Sequence, residues 1–101
     1  MENMILNIRL MKHQIEMINS TIGFDSEISA ELDRMIREIE NDMDKFGPLY
    51  GDLGFSGRIA IEAARAGIRA ILGPDAKRES VANDAEQLYK VAENALNRYY
   101  L

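Results

Sequence analysis

No cysteine and no tryptophan occur in this chain, and it holds only two prolines and a single histidine. Without cysteine there are no disulfides and no thiolate metal sites, which fits a reducing cytoplasm, the compartment we expect. One histidine falls short of a zinc site, which needs three or four protein ligands. Long hydrophobic runs are missing too. No apolar stretch approaches the ~18 residues that a membrane-spanning helix requires. The opening residues, Met1 to Arg9, lack the basic start, apolar core and small-residue cleavage site of a secretory leader. Positive charge is in deficit: 12 Lys and Arg face 17 Asp and Glu, for a formal net charge of −5. Nucleic-acid binding depends on neutralising phosphates, so an acidic chain is poorly suited to it.

What remains is the make-up of a folded domain. Apolar residues form 47% of the chain and charged residues 29%, values that argue against disorder. A length of 101 residues suits one small domain spanning residues 1–101. No segment alternates in the manner of a strand. Met4, Ile8, Met11, Ile15, Ile18 and Ile22 recur at intervals of four and three, one face of a helix. A second row, Leu6, Leu10 and Met17, widens that stripe, so the first helix either lies deep in a bundle or also contacts a second molecule. Gly23 suits the left-handed position that closes a helix. Asp25-Ser26-Glu27 reads as a helix start. Ile28, Leu32, Met35, Ile36, Ile39, Met43 and Phe46 then mark an amphipathic helix of about five turns.

The stretch Phe46–Gly57 divides the chain. It holds four of the seven glycines and one of the two prolines. Gly47-Pro48 stops a helix, and Asp52 and Ser56 are alternative caps for the next one. The third helix is rich in small residues. Ala60, Ala64, Gly67, Ile68 and Ile71 line one side, and Arg58, Glu62, Arg65 and Arg69 the other, which marks it as a tightly packed central helix. Gly73-Pro74-Asp75 is the last break. Val81, Ala85, Leu88, Ala92, Ala95 and Tyr99 then repeat at four and three, flanked by Tyr89, Leu96 and Tyr100. The expected fold is therefore all-α, an antiparallel bundle of about four helices in two hairpins, over 3–22, 26–45, 56–72 and 75–99.

Charge separates the halves. Residues 1–46 carry ten acidic and five basic side chains, and residues 47–101 seven of each. Glu31, Glu38 and Asp42 project from roughly one side of the second helix, with Glu27 one turn earlier, opposite its apolar stripe. That face is either simply solvated or a docking surface for a basic partner. Asp42 and Asp44 lie near the negative end of the helix dipole, a local misfit that calls for a basic neighbour. Phe46, Tyr50 and Phe55 are aromatic anchors of the kind that dominate interfaces, or else plugs for the bundle end. Arg58, Arg65 and Arg69 form a basic edge that can fold against the acidic second helix. The glycine spacing is not a phosphate loop, because the Gly-Lys-Ser/Thr ending and a preceding strand are both missing. No nucleophile–base set, cofactor fingerprint or metal cluster can be assembled, and His13 reads as a surface or structural residue.

Two short resemblances arise. Phe55-Ser56-Gly57 between helices, followed by Tyr89 and Glu93, resembles the helical-hairpin substrates of type VII secretion, with Phe in place of their Trp. Gly23 and Gly73-Pro74 would break both arms of such a hairpin. Ser29-Ala30-Glu31-Leu32-Asp33 is similar to the signature of helical-hairpin phosphatases of the sporulation phosphorelay, with Ala30 replacing a Gln. The first resemblance implies a secreted protein, and the second a regulator acting on a phosphorylated protein. The residues themselves favour a noncatalytic protein-binding module, an adaptor or inhibitor that forms a homodimer and needs no cofactor. Its partner-binding residues would be Glu31, Glu38, Asp42, Phe46, Tyr50 and Phe55. A phage or plasmid protein that occupies a basic host surface would have this composition.

Overall fold

A computed structural model describes residues 2–20, 25–47 and 51–100. These form four α-helices and, among the described residues, no strand: α1 Glu2–Ser20, α2 Asp25–Phe46, α3 Gly51–Leu72 and α4 Asp75–Tyr99. The all-α, four-helix bundle expected from the periodicity is the fold. Gly23 and Tyr50 lie outside the described residues.

One boundary differs from expectation. The third helix begins at Gly51, not near residue 56. Gly47 and Gly51 take φ values of +75° and +68°, the left-handed region that glycine enters without steric penalty. The reversal is thus completed before residue 52. Gly54, Ser56 and Gly57 are freed to be helical and are buried inside α3. Ser56 is no cap. Its hydroxyl donates to the carbonyl of Ala92 in α4, at 2.7 Å.

Neighbouring helices run antiparallel. The start of α1 meets the end of α2 through Met4 and Asp42, and the start of α3 meets the end of α4 through Asp52 and Arg98. Asn19 donates to Glu86 at 2.6 Å and Lys12 pairs with Glu93 at 3.6 Å, so α1 and α4 run in opposite directions. The cross-section is a rhombus rather than a square. α1 and α3 touch across the short diagonal, whereas α2 and α4 make no contact among the described residues. The small residues of α3 explain the short diagonal. A Cβ on Gly67 would lie 3.0 Å from the terminal methyls of Ile18 and Leu32 and 3.4 Å from that of Ile15. Only a residue without a side chain lets α1 and α2 come this close, and that contact offsets the ~1 kcal/mol that an internal glycine costs a helix.

The core is asymmetric in composition. α1 and α2 contribute Met4, Ile8, Met11, Ile15, Leu32 and Ile39, each at most 1% exposed. α3 and α4 answer with alanine, including Ala60, Ala64, Ala85 and Ala92, each fully buried. In α4 the buried face is Ala82, Ala85, Tyr89, Ala92, Ala95 and Leu96. The expected stripe is therefore turned. Val81 and Leu88 lie at its edge, half-buried, and Tyr99 is 46% exposed. The physical reason is that alanine, not the larger side chains, occupies the close α3–α4 contact. Tyr89 faces α1, where its hydroxyl donates to the Ile8 carbonyl at 2.7 Å.

Candidate interaction surfaces

The second helix places its acids in three different settings. Glu31 sits on the edge of α2 and accepts two hydrogen bonds from the guanidinium of Arg34, the shorter at 2.5 Å. That hydrogen bond holds the Glu31 carboxyl below the usual carboxylate range. Glu38 accepts a hydrogen bond from the side-chain amide of Asn3, which ties it to the first turn of α1. Asp42 is not on a displayed face at all. It is 6% exposed, and its carboxylate accepts the backbone N–H of Met4 at 2.8 Å. That N–H is among the donors the first turn of a helix cannot satisfy internally, and the dipole there favours an anion. The basic neighbour that Asp42 calls for is thus the N-terminus of α1. The antiparallel hairpin puts that positive end beside the negative end of α2. Asp42 is accordingly removed from the set of partner-facing residues.

The second apolar row of α1 is exposed. Leu6 and Leu10 are 53% and 48% accessible, and Met17, one further step along the row, is packed partly against the core. The row runs i, i+4, i+11 on the flank of α1. Glu27, Glu31 and Glu38 repeat the same i, i+4, i+11 spacing on α2. The Asn3–Glu38 hydrogen bond shows that the Glu38 edge of α2 flanks α1. An apolar rail beside an acidic one therefore lines this side of the bundle.

The aromatic candidates separate. Phe46 is 48% exposed at the end of α2, with the Lys45 ammonium 5.5 Å from its ring centre. Phe55 is 37% exposed one turn into α3. Neither ring is a buried plug for the bundle end. Tyr50 lies outside the described residues. Sequence reasoning missed Tyr99 and Tyr100 as surface aromatics. They pack edge to face at 5.2 Å, and the Arg9 guanidinium lies 5.1 Å from the Tyr100 ring. Their position at the C-terminal end of α4 was the available signal, since a helix end is poorly covered by its neighbours.

The basic edge of α3 meets α2 through Arg65, which pairs with Glu40 at 3.7 Å and with Glu62 at 3.2 Å. All three side chains are about half exposed, so these pairs are worth at most about 1 kcal/mol each. His13 is exposed. Among the described residues no group of three His, Asp or Glu side chains could hold a metal ion. No helix among them is long and apolar enough to cross a membrane.

The residues behind the two resemblances are placed as follows. Ser56 and Gly57 lie inside α3 rather than in a turn between helices, and Tyr89 is buried. Ser29 and Asp33 lie on α2, where Asp33 accepts a hydrogen bond from Arg37. No family model matches the chain, and neither the curated proteins nor the solved structures contain a significant match.

Proposed function

We propose that this chain is a noncatalytic protein-binding module, working as a homodimer, whose α1–α2 side receives a partner with a basic, amphipathic segment. The observation that carries the reading is the pair Leu6 and Leu10, half exposed on the flank of α1 beside the Glu31–Glu38 edge of α2. Such a rail stabilises a complex by burying apolar area, at roughly 25 cal/mol per Å² before the cost of association. Carboxylates alongside it steer a basic partner and reject an acidic one. Phe46, exposed at the same end of the bundle as Leu6, extends the apolar surface.

The test is comparative affinity capture from the native host. The wild-type chain, a Leu6→Asp/Leu10→Asp variant and a Glu38→Lys variant serve as baits. All three sites are at least partly exposed, so circular dichroism should show unchanged helix content. Both variants are expected to lose a partner that the wild-type chain retains. Equal recovery of every protein by all three baits would sink the proposal.

A further inference from the structure

The α3–α4 turn carries a surface opposite in sign to the chain as a whole. Only Gly73 and Pro74 separate the end of α3 at Leu72 from the start of α4 at Asp75. The Gly73 N–H donates to the Arg69 carbonyl at 2.8 Å, and a Cβ at Gly73 would lie 2.7 Å from that oxygen, so the reversal leaves no room for a side chain there. Beside this turn is an open pocket of about 380 Å³, with Leu72, Pro74 and Val81 among its apolar walls. Its three charged lining residues, Arg69, Lys77 and Arg78, are all basic. The adjoining grooves mix the two signs: Arg69 shares one with Asp84, and the other with Asp33 and Glu40. The acids of α4 nearest the turn lie on its other flank. Asp75 and Glu79 repeat with Glu86 and Glu93 at i, i+4, i+11 and i+18, and the last two meet α1 through Asn19 and Lys12.

From this segregation we infer that the pocket binds a small amphiphilic anion, a carboxylate or phosphate that bears an apolar chain. Small-molecule sites are typically pockets of roughly 300–1,000 Å³, mostly apolar, with a few polar groups that fix orientation. The apolar chain has a place to go: Leu72 is 73% exposed, more than any other large apolar side chain among the described residues. The anionic head has partners. Arg69 and Lys77 are exposed, and neither side chain has an ion pair among the described residues, so their charge is not already neutralised. Arg78 is half-buried, and its guanidinium donates to the Ile18 carbonyl at 3.4 Å, which holds it against the end of α1. The two-residue turn and this anchor set two walls before a ligand arrives, which limits the ordering cost of binding. A bare anion would forgo the apolar contact, and an uncharged chain would forgo the cations, so both parts of the ligand are needed. The inference is independent of the homodimer and of the α1–α2 surface.

Titration of octanoate into the isotope-labelled full chain at neutral pH, followed by amide chemical shifts, tests the pocket. Saturable shifts are expected at residues 69–81, with much weaker effects from 1-octanol or acetate at the same concentrations. Arg69→Glu and Lys77→Glu alter exposed side chains, and each is expected to weaken octanoate at least about tenfold through loss of a charge-assisted contact. Leu72→Ser should weaken it through the apolar chain. Lys90→Glu, about 20 Å further along α4 than Lys77, should bind as the wild type does. No saturable shift at these residues, equal binding of 1-octanol or acetate, or undiminished affinity in both charge-reversal variants would each overturn the inference. Flotation with phosphatidylglycerol vesicles but not phosphatidylcholine vesicles, abolished by octanoate, would support the pocket and assign its anion to a lipid. Saturable octanoate binding without flotation would support it and assign the anion to a free amphiphile.

Discussion

The two hairpins of this bundle are built on opposite plans. The α1–α2 hairpin fills the core with methionine, isoleucine and leucine and displays most of the acid. The α3–α4 hairpin contributes mostly alanine and glycine, with Leu53, Ile61, Tyr89 and Leu96 as its large buried side chains, and its charge is balanced. Large side chains in one hairpin need small ones in the other, because interior packing density is fixed at about that of an organic crystal. The lesson is that the hairpins should fail in opposite ways. The first should be sensitive to what is removed, and the second to what is added.

The largest effect should come from emptying the first hairpin. Leu32 is fully buried, and Leu32→Ala is expected to cost about 2–5 kcal/mol in chemical denaturation. The reciprocal change adds volume to the second. Gly67→Val pushes methyls against Ile18 and Leu32 and should cost about 1–3 kcal/mol despite removing a helical glycine. A stabilised Gly67→Val protein would show that the short diagonal has slack and would break the comparison. Smaller again is the cap that one helix provides for another. Asp42→Ala removes the acceptor for the Met4 amide, with an expected loss of about 1–2 kcal/mol.

The smallest change sharpens the contact between hairpins. Burial, with help from the nearby Glu93 and Glu16 carboxylates, pushes the Tyr89 phenol well above its ordinary value. The folded state therefore keeps this proton when the unfolded chain has already lost it. That contribution is complete below the unfolded pKa of about 10 and is lost as pH rises through the window between the unfolded and folded values. Tyr89→Phe should cost about 1 kcal/mol at neutral pH, through the hydrogen bond to Ile8. It should also remove Tyr89's share of the alkaline decline, measured as midpoint denaturant concentration between neutral and strongly alkaline pH. An alkaline decline of the same depth in the variant would place the titration elsewhere.

The α2 stripe could be read from the chain because large apolar residues contrast sharply with its acids. Ile28, Leu32, Met35, Ile36 and Ile39 are all buried as their spacing requires. α4 was harder. Its buried face is mostly alanine, which carries little hydropathic contrast, so the eye follows Val81, Leu88 and Tyr99 and rotates the helix. The start of α3 was obscured because two glycines with positive φ at the turn and two buried inside the helix stand in one run. Among the candidate surface residues, Leu6 and Leu10 were visible as a stripe too wide for one core face. Asp42 was visible only as a carboxylate at the wrong end of a dipole. Its partner is a backbone donor 38 residues away, and no local pattern encodes that pairing.

The rhombic cross-section has a thermodynamic consequence. α2 and α4 share no contact among the described residues, so a perturbation of one reaches the other only through α1 or α3. Substitutions on the outer edges of α2 and α4 should therefore be additive, with coupling free energies within about 0.5 kcal/mol of zero.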